Sequence, residues 1–482
     1  MRSAQQVAAV LTALSFLSVI ALALSMIHIS KMVSLKSIGG IVGSTILTHR
    51  LCSQSNNVNC KPLHMSTATV DHAAQAGLSN PLLAKHSTPL FGELKAEHIL
   101  PAVEFDLDKL KQDFTDLESI FREPQHGEAW GKRRVEYDYE TVIESMEKIQ
   151  APLSYSWGAV GHLMGVKNSE ELRKAHDALQ PRVIEINQQI GQSQLLYHAL
   201  NALKRQYVWS SLDETQHRIV DSALRSMQAS GVGITDPATK AQFNKLQLEQ
   251  AELSTKFSNN VLDSTKLFKL RLTEKEDVDG LPLSSKALAA QQAIASGDAG
   301  ATADEGPWVF TLDMPSYLPC MQHLRKRDLR EQLYRAYVTR ASTLEHDNAP
   351  IIRRILQIKL DLARMLGYNC FAEKSLSKKM ASSVDSVMAL NEMLRERAMP
   401  AAVRELQQLE QFAQQSSSSR SSSGGGQVEV EESLALWDVP FWSERLREQQ
   451  YQYQEEELRP YFALPNVLDG LFSLATRCVW RP

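Results

Sequence analysis

Leu312-Asp313-Met314-Pro315-Ser316-Tyr317-Leu318-Pro319 opens the stretch on which the reading of this chain turns. After it come Arg330-Glu331-Gln332-Leu333-Tyr334-Arg335-Ala336-Tyr337-Val338, a run over residues 351–366, and Gly367-Tyr368-Asn369-Cys370-Phe371-Ala372-Glu373. Pro315 and Pro319 flank a short turn. Leu329, Leu333, Ala336 and Tyr337 fall at i, i+4, i+7 and i+8, the repeat of one helical face. Ile352, Ile355, Leu356, Leu362, Ala363 and Leu366 mark the inner stripe of a second helix that stops at Gly367. Amphipathic helices in succession predict a mainly α fold.

Upstream the same period recurs over residues 96–121, 141–150 and 170–202, the last capped by Asn168 or Ser169 with Glu170 and Glu171 in its first turn. Residues 213–229 carry Val220, Ala223, Leu224 and Met227 on one face. Asp236-Pro237 then supplies an N-cap and a first-turn proline to a long helix striped by Phe243, Leu246, Leu253, Phe257 and Val261. Residues 268–273 and 308–312 are the strand candidates, so a small β element is expected near residues 268–312, around a helix at 284–295. Downstream, Val387, Leu390, Leu394, Val403, Leu406, Leu409 and Phe412 predict a helix pair, or one helix kinked at Pro400, over 382–415. The low-complexity run 416–426 cannot bury apolar surface and predicts a mobile loop insertion, not a domain boundary. A last helix is expected from Asn466.

These residues, with Asn80-Pro81-Leu82-Leu83, residues 162–173, 257–265, Trp437-Asp438, Trp442-Ser443-Glu444 and Leu458-Arg459-Pro460-Tyr461-Phe462, resemble the oligopeptidase A, thimet oligopeptidase and neurolysin family of zinc metallopeptidases, oligopeptidase A above all. The likeness runs over residues 80–474, and the end 475–482 departs from it. The resemblance implies two helical lobes around a deep central channel that admits short unfolded peptides, with one zinc ion per full-length enzyme on the channel floor. It further implies a zinc metalloendopeptidase that hydrolyses peptides such as cleaved targeting sequences.

That chemistry needs a helix bearing His-Glu-x-x-His, because imidazoles at i and i+4 share a face and the Glu between them polarises the bound water. None of the 13 His residues stands four from another, so the sequence has no such helix. No catalytic, cofactor-binding or metal-ligating residue is therefore assigned, and the catalytic zinc region is expected to be absent. The chain is read as the family's amino-terminal part, inactive alone; the alternative is a non-catalytic fragment that binds peptides or a partner. Each apolar side chain left uncovered forgoes roughly 1.5–3 kcal/mol of burial, against a typical stability of about 5–15 kcal/mol. The 482-residue product alone is accordingly expected to be unstable, sticky or chaperone-bound.

Substitutes for the missing site are weak. His162 reads as a helix-end or core imidazole, Ser258-Asn259-Asn260 as hydrogen bonding near a helix end, and the aromatics from Trp437 to Phe462 as packing between lobes. The pairs Glu170-Glu171 and Glu431-Glu432 read as solvated faces. A net charge of −4 makes no case for nucleic acid. Five scattered cysteines give no disulfide framework, and Cys52 with Cys60 would pair only in an exported chain.

Residues 1–70 hold no Asp or Glu but carry Arg2, Lys31, Lys36, Arg50 and Lys61, the make-up of a leader addressed to the mitochondrial or plastid interior. Residues 7–29 leave open a signal or an uncleaved membrane anchor, although Ser15, Ser18 and His28 weaken it. A start at Met65 would give a cytosolic protein.

Overall fold

A computed structural model describes residues 80–122, 137–343, 345–421, 434–453 and 455–479. The leader 1–70 with its 7–29 run, Met65, Cys52, Cys60, Glu431-Glu432 and residues 422–426 of the insertion lie outside the described residues. The architecture is mainly α with a two-stranded antiparallel sheet. No described helix is long and apolar enough to cross a membrane. Two compact units divide the chain, Met1–Ala251 with Ile358–Met380 and Glu252–Gln357 with Ala381–Pro482.

The first unit holds α1 (Ile99–Phe121), α2 (Ser145–Val166, led in by a π turn), α3 (Glu170–Gly191), α4 (Gln194–Arg205), α5 (Glu214–Ala229) and the start of α6 (Pro237–Leu267). α1 packs on α2 and α3 through Val103, Leu107, Leu110, Phe114, Leu117 and Phe121, spaced by three or four residues. The expected single helix over 170–202 is two. Gly191 approaches so near α5 that a Cβ on it would meet the Ser230 Cβ at 2.9 Å. Ser193 then caps α4 by accepting from the Leu196 N–H at 3.1 Å. Asp213 closes the start of α5 in a capping box with Gln216.

The end of α10 (Ala349–Met365), from Ile358 on, and α11 (Phe371–Leu376) complete this unit.

The second unit takes the end of α6, then β1 (Leu270–Leu272), α7 (Leu283–Ala295), β2 (Trp308–Phe310), α8 (Met314–His323), α9 (Arg327–Val338), α12 (Val384–Ser421), α13 (Val439–Tyr451) and α14 (Leu464–Val479). Leu270, Arg271 and Leu272 pair with Phe310, Val309 and Trp308, so the leucines face the core and Arg271 faces solvent, where Asp298 takes it. α7 covers the sheet with Ala289, Ala290 and Ala293, and Trp308 is fully buried beneath it.

The expected inner stripe of α10 is met in part. Leu362 and Ala363 are buried as expected, together with Ile351 and Ile358, whereas Ile352 and Leu356 face outward. α12 is one helix with Pro400 inside it, and it runs on through Ser416 to Ser421, residues expected as loop. Adding residues to a nucleated helix costs little for each Ser, so the composition of 416–421 does not stop it.

The apolar stripes of α12 and α14 are largely uncovered. Leu409 and Ala413 are buried against Phe441 and Trp442 of α13, but Leu390, Leu394, Val403 and Leu406 are exposed. On α14, Leu464, Val467, Leu468, Leu471, Phe472 and Leu474 are all exposed. A surface of this kind associates with other apolar matter. Replacing Leu468 or Phe472 with Ser is expected to change the unfolding free energy in urea by no more than ~0.5 kcal/mol and to lower ANS fluorescence of the native protein. A loss of several kcal/mol would show that this face is covered.

Candidate functional site

The sequence-derived candidates scatter. His162 is exposed near the end of α2, its ring 4.8 Å from Phe91. Ser258 bonds back to the Ser254 carbonyl, while Asn260 is buried and donates to the Asn348 side chain at 2.8 Å. Asn348 in turn donates to the Phe257 carbonyl at 3.1 Å, so this polar trio joins chain segments instead of facing a ligand. Glu170 pairs with Lys174 on the surface.

The first unit has an open pocket lined by Gln194, Tyr197, Gln228, Asp236, Thr239 and Met365. Its carboxylate is engaged in capping: Asp236 accepts from the Thr239 N–H and hydroxyl at 2.7 and 2.5 Å, which hold its pKa below the usual range. Elsewhere in this unit the Lys85 ammonium and the Ser156 hydroxyl share one oxygen of buried Asp106, each at 2.5 Å. Burial pulls the Lys85 pKa down against the opposing pull of Asp106.

On α11, the Lys374 ammonium lies 5.9 Å from the Phe243 ring centre. Burial, and after it the like charge of Lys378, pushes its pKa down to about 8. The unfolded chain keeps this proton up to a pKa near 10.5, so between about pH 8 and 10.5 it binds more protons than the native state and stability rises. Below that window both states are charged and the native state carries the full cost. Lys374→Met is expected to stabilise the protein at pH 7 and to flatten the rise at alkaline pH in urea titrations. Equal slopes in the two proteins would refute the assignment.

Chemistry concentrates in the second unit, where the end of α8, the start of α9 and α13 meet. Arg330 is 2% exposed, yet its guanidinium makes four hydrogen bonds. It donates to Leu324 O at 2.8 Å, Arg325 O at 3.0 Å, Trp437 O at 3.3 Å and Asp438 Oδ1 at 2.8 Å, and it lies 4.3 Å from the Phe441 ring centre. Arg327 grips the other oxygen of Asp438 through Nε and Nη2 at 3.0 and 2.9 Å. The aromatics Trp437 and Phe441 thus serve as walls of an arginine–aspartate knot inside this unit.

Beside the knot stand His323, the last residue of α8, and Glu444 and Glu448, one turn apart on α13. One ligand atom from each lies within 4.8 Å of the others, the one such group found among the described residues. Glu444 is buried and held at both oxygens by Arg447. Glu448 accepts from Arg445 Nη1 at 3.0 Å, and Arg445 Nη2 stands 3.5 Å from His323 Nδ1. The i, i+4 glutamates were visible in the sequence, but nothing there brings His323 to them.

Two family models match the chain in order: the Neurolysin/Thimet oligopeptidase N-terminal domain over residues 105–239 and peptidase family M3 over residues 320–478. The helical architecture and these matches define a metallopeptidase lineage, and the chain belongs to peptidase family M3. Its relatives include the organellar oligopeptidase A, chloroplastic/mitochondrial, of Arabidopsis thaliana, 41% identical over 397 residues that make up 82% of this chain and 47% of that protein. The probable cytosolic oligopeptidase A of the same plant is also 41% identical, over 82% of this chain and 53% of its own length. Oligopeptidase A of Haemophilus influenzae is 34% identical over 83% of this chain and 54% of its own. The chain spans about half the length of the curated relatives it matches.

A metallopeptidase lineage implies a metal. No two histidines of the sequence stand four apart, and His323 with Glu444 and Glu448 brings a single imidazole to two carboxylates that already face arginines, which does not fit a two-imidazole site.

Removing the acid of the knot is expected to be severe. Asp438→Ala strands a buried guanidinium and should cost roughly 3–5 kcal/mol in urea unfolding, whereas Arg327→Ala, which leaves the Arg330 pair in place, should cost clearly less. Equal costs would mean that Arg330 draws its support from elsewhere.

Proposed function

We propose that this chain is of the oligopeptidase A type, that it takes short unfolded peptides, and that this sequence by itself does not hydrolyse them. Support for the peptide class comes from relatives named oligopeptidase A at 34–41% identity over most of the chain. The observation that carries the second half is the spacing of its histidines, no two of which can share a helical face at i and i+4. In this reading the lineage's metal is zinc, and this sequence supplies no imidazole pair for it. The acid-free leader 1–70 supports a mitochondrial or plastid address, with a start at Met65 giving the cytosolic form.

A second reading, capture of a protein partner, is favoured by the exposed apolar side chains of α12 and α14. Fluorescence anisotropy and a quenched fluorescent peptide separate the outcomes. Purified chain with added zinc is expected to bind the peptide saturably and leave it intact. Cleavage that stops on adding a chelator would sink the proposal, and failure to bind any short peptide would leave partner capture as the better account.

A further inference from the structure

The end of α8 brings one imidazole together with two carboxylates of α13. We propose that His323, Glu444 and Glu448 form a site for one divalent transition-metal ion, at which the Arg445 guanidinium is the resident competitor. The three ligand atoms come from two packed helices and already lie within 4.8 Å of one another, within reach of a shared ion by side-chain adjustment. One imidazole nitrogen with two carboxylate oxygens suits Mn²⁺, Co²⁺, Ni²⁺ or Zn²⁺ better than the all-oxygen preference of Ca²⁺ or Mg²⁺.

Arg445 shows that the place is built for positive charge. Its Nη1 donates to Glu448 at 3.0 Å, Nη2 donates to Gln322 O at 3.4 Å and faces His323 Nδ1 at 3.5 Å. A guanidinium has donors and no acceptor, so the nitrogen opposite it presents a lone pair, the form a metal takes. The carboxylates of Glu444 and Glu448 and this lone pair therefore converge on a region where a cation already sits.

The site also has the outer support that metal ligands need. Arg447 orients the buried Glu444 carboxylate through Nε at 3.0 Å and through Nη2 at 2.5 Å. Glu444 is 4% exposed at its side chain while Glu448 is 26% exposed, so the ion would enter from the Glu448 side as Arg445 swings outward. Arg445 gives up its contact with the Phe441 ring, 4.8 Å away, in doing so. Such an ion would clamp α8 to α13 beside the Arg330–Asp438 knot.

The test uses the full chain, stripped with a chelator and titrated calorimetrically with Zn²⁺ and separately with Mn²⁺, with Mg²⁺ as control. One transition-metal ion per chain is expected, with Mg²⁺ silent. Glu448→Gln and His323→Ala should each weaken binding by roughly 10- to 100-fold, the range known for losing even an outer partner of a metal ligand. Arg445→Ala should tighten it by about tenfold, the worth of one partly exposed ion pair and one cation–π contact. Visible absorption of the Co²⁺ form should show a nitrogen ligand that vanishes in His323→Ala. Glu448→Gln is nearly isosteric at a partly exposed position, so it keeps the test sound if His323→Ala misfolds. Silence in both the wild type and Arg445→Ala overturns the proposal, leaving an arginine ion-pair network only. Binding that Glu448→Gln does not weaken overturns it equally, because the ion would then be held elsewhere.

Discussion

A buried guanidinium is the constraint on which the second unit rests. Taking Arg330 out of water costs several kcal/mol, and only a full set of acceptors offsets that cost. Three carbonyls and Asp438 provide them, with the Phe441 ring closing the remaining side. Because Asp438 lies 108 residues from Arg330, the interaction fixes which helices meet, in a way that apolar packing of similar leucine stripes does not. Arg330 can be satisfied only when the α8–α9 turn, α9 and the start of α13 are all in place.

The surrounding charges follow from that placement. Asp438 also holds Arg327, and α13 carries Glu444, Arg445, Arg447 and Glu448 within two turns of Phe441. Two glutamates and two arginines on one helix balance in charge while leaving the carboxylates oriented by neighbours three residues away. A neutral network of this type is the setting in which one cation can replace another, since the carboxylates need a positive partner but not a particular one.

How much of this was legible in the residues depends on the range of the interaction. Helices α1, α5, α6 and α7 and the two strands could be read from local period and caps, such as Asp213 with Gln216, because those signals lie within a turn or two of each other. In the first turns of α10 the period does not tell which isoleucine packs, since Ile351 and Ile352 are equally apolar and only the neighbours decide which is covered. The break at Gly191 needed Ser230, and the burial of Arg330 needed Asp438, neither of which a helical pattern can reveal. For the same reason His323 could not be joined to Glu444 and Glu448 across 121 and 125 positions.

The stripes of α12 and α14 mark the opposite case, in which local pattern is right and its usual consequence is missing. Leu390, Leu394, Val403, Leu468 and Leu471 recur with helical period, as buried faces do, yet they meet solvent. Each forgoes part of the roughly 1.5–3 kcal/mol of full burial, so covering a stripe recovers an amount on the order of the 4–15 kcal/mol that association costs in lost freedom. Covering them by an apolar surface of suitable shape therefore offsets much of that cost without a strong polar anchor. The same helices are held to the unit by few buried side chains, Leu409 and Ala413 on α12 among them, so they can adjust to what covers them. Rigidity in this unit is thus set at the Arg330 knot and adaptability at the exposed stripes, and a partner that fills the stripes need not disturb the knot.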